Sequence, residues 1–312
     1  MEQFLKYFYN IYIDKVCSKN ESYYFYKDNN LFWVVKNYRT EEELKDIYQI
    51  NYELLNNNYP VSEIVLNIYN LPISVYENNN YILLKINCNT SSDIDLNDIL
   101  KINRNLYLNK DKKNLYRNNW AELWERKIDY FEYQIKELGR DKKIILNSFS
   151  YYIGLAENAI SIANNIDLNN NDISINNIVL SHRRVNYPNM EYDYYNPLNF
   201  IFDLEVRDVA EYLKSMFFYT DREKTMDELI NYVNKSELNN YTANMLYARL
   251  LYPSYYFDVY EKVIEDLDDE SNLLDIINKT GEYELFLKDV YYELSKKFNI
   301  EMILWIINKK EL

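Results

Sequence analysis

The sequence has almost no glycine: of 312 residues, only Gly139, Gly154 and Gly281 lack a side chain. A loop that wraps phosphate with backbone N–H groups needs glycine for close approach. Neither GxGxxG nor GxxxxGKS can be written around these three positions, so nucleotide binding through those motifs is excluded. His182 is the single histidine. That removes multi-histidine metal sites and every histidine-paired nucleophile that does not pass through it. Cys17 and Cys88 are the only cysteines; two thiols so far apart make neither a disulfide framework nor a zinc site. No apolar run approaches the roughly 20 residues of a membrane span. Met1–Tyr12 lacks the basic-then-apolar order of a secretion signal. Together these absences predict a cytoplasmic protein without a membrane span.

Positive charge is also short, with 35 Lys and Arg against 49 Asp and Glu and a formal net charge of -14. A phosphate-backbone partner needs clustered Lys and Arg, so no nucleic acid is expected. An acidic surface permits a cationic ligand or a basic protein partner, although a solvated acidic face is the plainer reading. Hydrophobic residues make up 48% of the chain and aromatic residues 17%, including 35 Tyr. This is ample material for the core of one large domain or two lobes. Asn, Tyr, Ile and Lys all have AT-rich codons, so genome composition explains part of their abundance. The Tyr excess reads as core and surface filler.

Residues 1–90 read as strand-rich around one helix. Tyr23–Lys27, Leu31–Tyr38, Ile64–Ile68, Ile73–Tyr76 and Tyr81–Ile86 are short β-branched or aromatic runs, and the asparagine-rich stretches Lys27–Asn30 and Glu77–Asn80 suit hairpin turns. Thr40-Glu41-Glu42-Glu43 has the spacing of a capping box. It predicts a helix to about Asn57 with Leu44, Ile47, Tyr48, Leu54 and Leu55 facing inward.

Cys88 to Asp95 is polar and marks the expected lobe boundary, leaving residues 91–312 for a helical second lobe. There Trp120, Leu123, Trp124, Ile128, Phe131 and Ile135 recur at helical spacing over four turns. Ile144–Ile166 reads as a long helix, Ile173–Leu180 and Asn199–Phe202 as short strands, and Val206–Phe218 as a further helix. Thr225-Met226-Asp227-Glu228 has the form of a second capping box. About four more helices follow, one preceded by Pro253 and one ending near Gly281. Glu265–Glu270 is an acidic run, read as a solvated helix end. A small sheet with one helix, then a larger helical half, is an α+β chain.

One segment carries chemistry. Ile178-Val179-Leu180-Ser181-His182-Arg183-Arg184-Val185-Asn186-Tyr187-Pro188-Asn189 resembles the catalytic loop of aminoglycoside and choline phosphotransferases. In that superfamily an apolar strand leads into His-Gly-Asp, with an Asn five residues after the Asp. His182 stands in the histidine place and Asn189 at the asparagine spacing, while Arg183 and Arg184 replace Gly and Asp. Phe200-Ile201-Phe202-Asp203 resembles the strand that ends in the magnesium aspartate. Arg207-Asp208-Val209-Ala210-Glu211-Tyr212-Leu213 resembles the Asp-Leu-Ala helix start, whose aspartate braces the loop. Asn196-Pro197-Leu198 and Leu250-Leu251-Tyr252-Pro253-Ser254 bring the wording nearest to the spore-coat branch of CotS/YutH-like proteins.

The resemblance implies a bilobal protein-kinase-like fold with a degenerate catalytic loop near residues 178–208. Phosphoryl transfer needs positioned phosphates, a magnesium clamp and a carboxylate that orients the acceptor. Arg184 stays protonated and cannot take that proton, and losing a general base removes roughly 10²–10⁴-fold of rate. A pseudokinase with a binding, scaffold or coat-like structural role is therefore expected, with no cofactor. The alternative is an active ATP- and magnesium-dependent kinase in which Asp193 or Glu191 supplies the base.

Each residue also has a plainer reading. His182 serves as a loop-structuring residue or as a base, and Lys36 as a phosphate-binding lysine paired with Glu43 or Glu53 or as an exposed strand lysine. Asp203 serves as metal ligand or turn residue; Asp193 as the metal aspartate would leave no room for a hairpin after Asn189. Arg183 and Arg184 form an anion site or pair with acidic neighbours such as Asp203. For Asp208 the expectation is burial, with bonds accepted from backbone N–H groups near His182–Arg184. Asp208→Ala is expected to cost stability and Asp203→Ala almost none.

Overall fold

The alternating runs of the first ninety residues build an antiparallel sheet. The computed structural model describes residues 1–19, 22–86, 94–105, 112–117, 119–169, 178–187 and 194–310. A short helix α1 (Glu2–Tyr9) precedes strands β1 (Cys17–Lys19), β2 (Ser22–Lys27) and β3 (Asn30–Lys36). Helix α2 (Glu41–Asn56) follows, then β4 (Glu63–Val65), β5 (Ser74–Tyr76) and β6 (Asn79–Ile86). The strand order is β1-β2-β3-β6-β4, and β5 forms a hairpin with β6. Registers such as Trp33 opposite Leu84 and Val35 opposite Ile82 alternate the two faces along β3 and β6. One face carries Phe25, Val34, Tyr81 and Leu83 under Phe4 and Leu5 of α1. The other turns Val35, Ile82 and Leu84 towards α2 and into the main core.

With glycine almost absent, other residues take the left-handed turns. Asp28 and Asn29 (φ 48° and 61°) turn β2 into β3, Glu77 and Asn78 (φ 48° and 62°) turn β5 into β6, and no glycine of the described residues has positive φ. Asn29 and Asn78 suit this region, which asparagine tolerates better than most residues, and the next residues, Asn30 and Asn79, close the turns by donating to the carbonyls of Asp28 and Glu77.

The capping box at α2 is formed: Thr40 Oγ1 accepts from the Glu43 N–H and the Glu43 carboxylate accepts from the Thr40 N–H. Leu44, Ile47 and Leu54 are buried as the spacing predicts, joined by Ile50 and by Asn51. Asn51 holds Ser62 and Ile64 backbone groups at 2.7 and 3.0 Å, which positions β4.

The helical half comprises α3 (Leu96–Asn105), α4 (Trp120–Leu138), α5 (Lys143–Asn169), then strands β7 (Ile178–His182) and β8 (Phe200–Leu204), then α6 (Val206–Tyr219), α7 (Arg222–Lys235), α8 (Asn240–Leu251), α9 (Ser254–Ile264), α10 (Leu273–Asn278), α11 (Thr280–Ser295) and α12 (Leu304–Ile307). α8 packs against both α5 and α6, so it lies at the centre of this half. The boundary expected at residues 88–95 falls largely outside the described residues. A continuous hydrophobic cluster nevertheless runs from the sheet through α2 into the helices.

One expectation fails locally. Thr225 does not cap a helix: it is buried within α7, and Asp221 caps instead, accepting from the Lys224 N–H at 2.8 Å. Asp221 lies one turn earlier, and its extended backbone frees the carboxylate for the first turn. A helix does end near Gly281, α10 at Asn278, but Lys279 and not the glycine caps it; Gly281 lies in the first turn of α11, where a side chain would meet open space.

Candidate functional site

The β7–β8 hairpin brings the segment of interest together, with His182 opposite Phe200 and Val179 opposite Asp203. The hairpin feeds directly into α6, whose first turn presents Arg207 and Asp208 back towards it. A carboxylate there is favoured by the positive end of the helix dipole. Asp208 is fully buried and accepts the His182 backbone N–H at 2.9 Å on Oδ1 and pairs with the ring Nδ1 at 2.8 Å on Oδ2. A carboxylate can only accept, so Nδ1 carries the proton.

The His182 ring is fully buried between Tyr194 and Phe200, and Nε2 has no partner among the described residues. A base must reach the proton it takes; this imidazole reaches no solvent-facing surface and fixes the loop instead. Arg207 adds a second brace from the same helix turn. Its Nε and Nη2 donate to the carbonyls of His182 and Arg183 at 2.7 and 2.9 Å.

Asp203 is fully buried, and its Oδ2 accepts from Trp120 Nε1 at 2.8 Å, Arg207 at 3.1 Å and Arg249 at 2.8 Å. Oδ1 accepts the Leu204 N–H at 2.7 Å. Both guanidiniums also lie against the Trp120 ring, within 4.4 Å of its centroid. Burial raises the Asp203 pKa, and Arg249 and Arg207 offset part of the rise. A magnesium ion needs open oxygen ligands in octahedral geometry. Here the lone pairs are taken and two fixed cations adjoin them, so a divalent metal does not fit at Asp203. Among the described residues no group of three or more His, Cys, Asp or Glu could hold a metal ion.

The pairing of Arg183 or Arg184 with Asp203 is likewise corrected, because Arg207 and Arg249 reach that carboxylate from α6 and α8. Arg184 grips Asp258 of α9 with two bonds of 3.0 and 2.7 Å and lies 3.8 Å from Glu211. Burial works against its charge, but Glu211 and Asp258 outweigh that and hold it firmly protonated. Desolvation alone would raise Glu211; Lys214, Arg184 and Arg207 instead bring it down to about 2. Lys214 is buried, bonded to Glu211 at 2.8 Å and to Ser254 at 2.6 Å.

On the sheet side, Lys36 closes β3 opposite Tyr81, half-buried. Glu43 turns to Arg39, at 3.3 Å, and to Arg117, and Glu53 stands exposed on α2. Arg39 ties α2 to the hairpin by donating to the carbonyls of Leu198 and Phe200. Burial, then Arg183, lowers its pKa to about 10, against the pull of Glu43. Asn189, Glu191 and Asp193 lie outside the described residues.

Between α4, the hairpin, α6 and α8 opens a cleft of about 540 Å³. Among the described residues seven cationic side chains line it (Arg117, Lys127, Arg183, Arg184, Arg207, Lys214 and Arg249), with Glu211 the one acidic lining residue. Sequence reasoning missed Arg207, Lys214, Arg249 and Trp120 as members. A signal for Arg249 was present: it is the lone charge in Tyr241–Tyr252, an otherwise uncharged and largely buried stretch.

The sequence matches the family model described as spore coat putative kinase YutH over residues 2–290. The endospore coat-associated protein YutH of Bacillus subtilis is 29% identical over 190 residues, and the match spans 54% of this chain and 54% of that one. The chain thus covers about half the length of that relative. An aminoglycoside phosphotransferase from Alicyclobacillus acidocaldarius superposes with a TM-score of 0.62 over 91% of this chain and 93% of its own, at 8% identity. A spectinomycin phosphotransferase, solved with ADP and spectinomycin, gives a TM-score of 0.57 over 94% and 96% at 10% identity. At such identities the likeness concerns the fold, a kinase-like α+β architecture with a small antiparallel sheet and a larger helical part. Taken with the match along most of its length, the chain belongs to the family of spore coat putative kinases YutH.

Proposed function

We propose that the protein is a non-catalytic kinase-fold member that works as a binding or scaffold component, associated with a spore coat as its Bacillus relative is named to be. The observation that carries this is the state of Asp203. Its Oδ2 accepts from Trp120, Arg207 and Arg249 at once, so the residue in the metal-binding place is closed by cations from two helices. Arg184, in the place of the catalytic aspartate, is anchored to Asp258 and offers no proton acceptor. Phosphoryl transfer rests on positioning and charge stabilisation by metal and base together, and both functions are replaced by guanidinium groups. The partner is a protein or a small ligand, and no helix among the described residues is long and apolar enough to cross a membrane.

The test is ATP with magnesium. A ligand at 100 times its dissociation constant stabilises by about 2.7 kcal/mol. The protein should show no upward melting shift with millimolar magnesium-ATP and no ATP turnover with hydroxyl or amine acceptors. Acceptor-dependent turnover that disappears in Lys36→Ala would refute the proposal.

A further inference from the structure

We infer that the cleft is a metal-independent site for a small organic oxyanion, a phosphate or carboxylate carried on a planar apolar body. This rests on the non-catalytic reading above and gives that reading a ligand class. The chain as a whole carries a formal charge of -14, yet among the described residues the cleft gathers seven cations around one lining carboxylate. Among the described residues the carboxylates that meet those cations are five: Glu43, Asp203, Glu211, Asp258 and Glu261. Three of these are shared, Asp203 between Arg207 and Arg249, Glu43 between Arg117 and Arg39, and Glu211 between Lys214 and Arg184. Among the described residues the cleft therefore keeps a surplus of positive charge over the carboxylates that meet it.

The surplus has a location. Arg183 sits in the loop after β7, its backbone fixed by its own N–H to Asn199 at 2.8 Å and by Arg207 on its carbonyl. Its guanidinium meets no carboxylate or carbonyl among the described residues and stands open at the cleft. Partial desolvation against the cleft wall lowers its pKa, as do Arg117, Arg184 and Arg207, with Glu43 opposing; an incoming anion would relieve that crowding. Deeper in, Arg249 is 3% exposed and its Nε–H has no acceptor among the described residues. An unmatched buried donor is costly in a protein that gives it nothing. A planar guanidinium fork suits a carboxylate or phosphate better than a point charge does.

The cleft also has an apolar wall. Trp120, Trp124 and Tyr252 line it, with the Trp124 and Tyr252 rings stacked at 4.6 Å. A volume of about 540 Å³ is that of a small-molecule pocket and not of a protein-docking surface. Among the described residues no cluster of carboxylates is open for a divalent ion there, so recognition goes through the guanidiniums directly.

The experiment is calorimetric titration of the full chain with phenyl phosphate and with benzoate, in low-salt buffer containing EDTA. At least one probe should bind saturably with a dissociation constant below about 1 mM, and which one does so separates phosphate from carboxylate recognition. Arg183→Gln, on an open loop side chain, should weaken binding about tenfold or more, equivalent to about 1.4 kcal/mol. Lys101→Gln, at an exposed lysine of α3 that does not line the cleft, should leave it unchanged. Failure of both probes to saturate overturns the inference. So does equal binding by Arg183→Gln, or equal weakening by Lys101→Gln, which would be bulk charge attraction. A chain inert towards magnesium-ATP that ignores both probes overturns this inference alone; one that turns ATP over overturns the non-catalytic reading with it.

Discussion

The Asp208 carboxylate holds both the backbone and the side chain of His182, one oxygen on the N–H at 2.9 Å and the other on the ring at 2.8 Å. All these groups are fully buried. The contact joins the first turn of α6 to the end of β7 across 26 residues of sequence, and it fixes the path on which Arg183 and Arg184 leave the hairpin. The loop after β7 is thus held by groups that need no phosphate or metal.

Asp208→Ala should destabilise the protein, because it strands two buried donors at roughly 1–3 kcal/mol each. Asp208→Asn keeps an acceptor and should cost less. Urea denaturation of both variants checks this; an alanine variant as stable as wild type would mean the loop does not depend on the contact.

Asp203→Ala should be at least as damaging, which reverses the near-neutral cost expected from sequence. It leaves Arg207 and Arg249 buried without their shared carboxylate, and breaking one side of a buried pair costs about 3–5 kcal/mol. The apolar double variant Asp203→Leu with Arg249→Met should recover part of the loss. A neutral Asp203→Ala in the same urea series would contradict the buried network.

The sheet, α2 and the long helices were legible because alternation and helical spacing follow directly from which face is buried. Thr40 and Glu43 could be read as a cap since both partners lie within one turn of sequence. The charge network could not be read that way. Arg249 reaches Asp203 across 46 residues and Trp120 across 83, so only the folded chain brings them together. The resemblance located Asp203 and Asp208, but the same residue type reads alike whether it meets a metal or two arginines. Arg184 illustrates the converse: its loss of base function is plain from chemistry, while its partner Asp258 lies 74 residues away.

The turn between β5 and β6 offers a stabilising change. Glu77 holds φ 48°, and unlike Asn78 beside it, glutamate has no short side chain to bond its own backbone there. A left-handed residue with a Cβ costs roughly 1–2 kcal/mol, of which glycine returns some by its looser unfolded chain. Glu77→Gly should therefore raise stability by about 0.5–1 kcal/mol, read as an upward melting shift. Gly139→Ala serves as the contrast. An added Cβ there would lie 2.6 Å from the Ile135 carbonyl oxygen, so that variant should lose stability.

The acid limb of stability should run through Glu211. Its carboxyl is held at about 2 in the folded protein against an ordinary 4.5, because Lys214, Arg184 and Arg207 outweigh its desolvation. A depressed carboxylate contributes stability that is complete above its unfolded pKa and is lost as pH falls towards the folded one. The window is therefore about pH 4.5 down to about pH 2, and by pH 3 this group alone should have forfeited about 2 kcal/mol. Asp203 works in the opposite sense, since its raised pKa favours the protonated form and softens the loss as pH falls. Glu211→Gln leaves Lys214 and Arg184 short of a partner and so lowers stability at neutral pH. The decisive quantity is then the slope: wild type should lose about 2 kcal/mol more than Glu211→Gln between about pH 5 and about pH 3. Urea midpoints at the two pH values measure this directly. Parallel losses in the two proteins would mean that the Glu211 charge is not what ties Lys214 of α6 and Arg184 of the loop together.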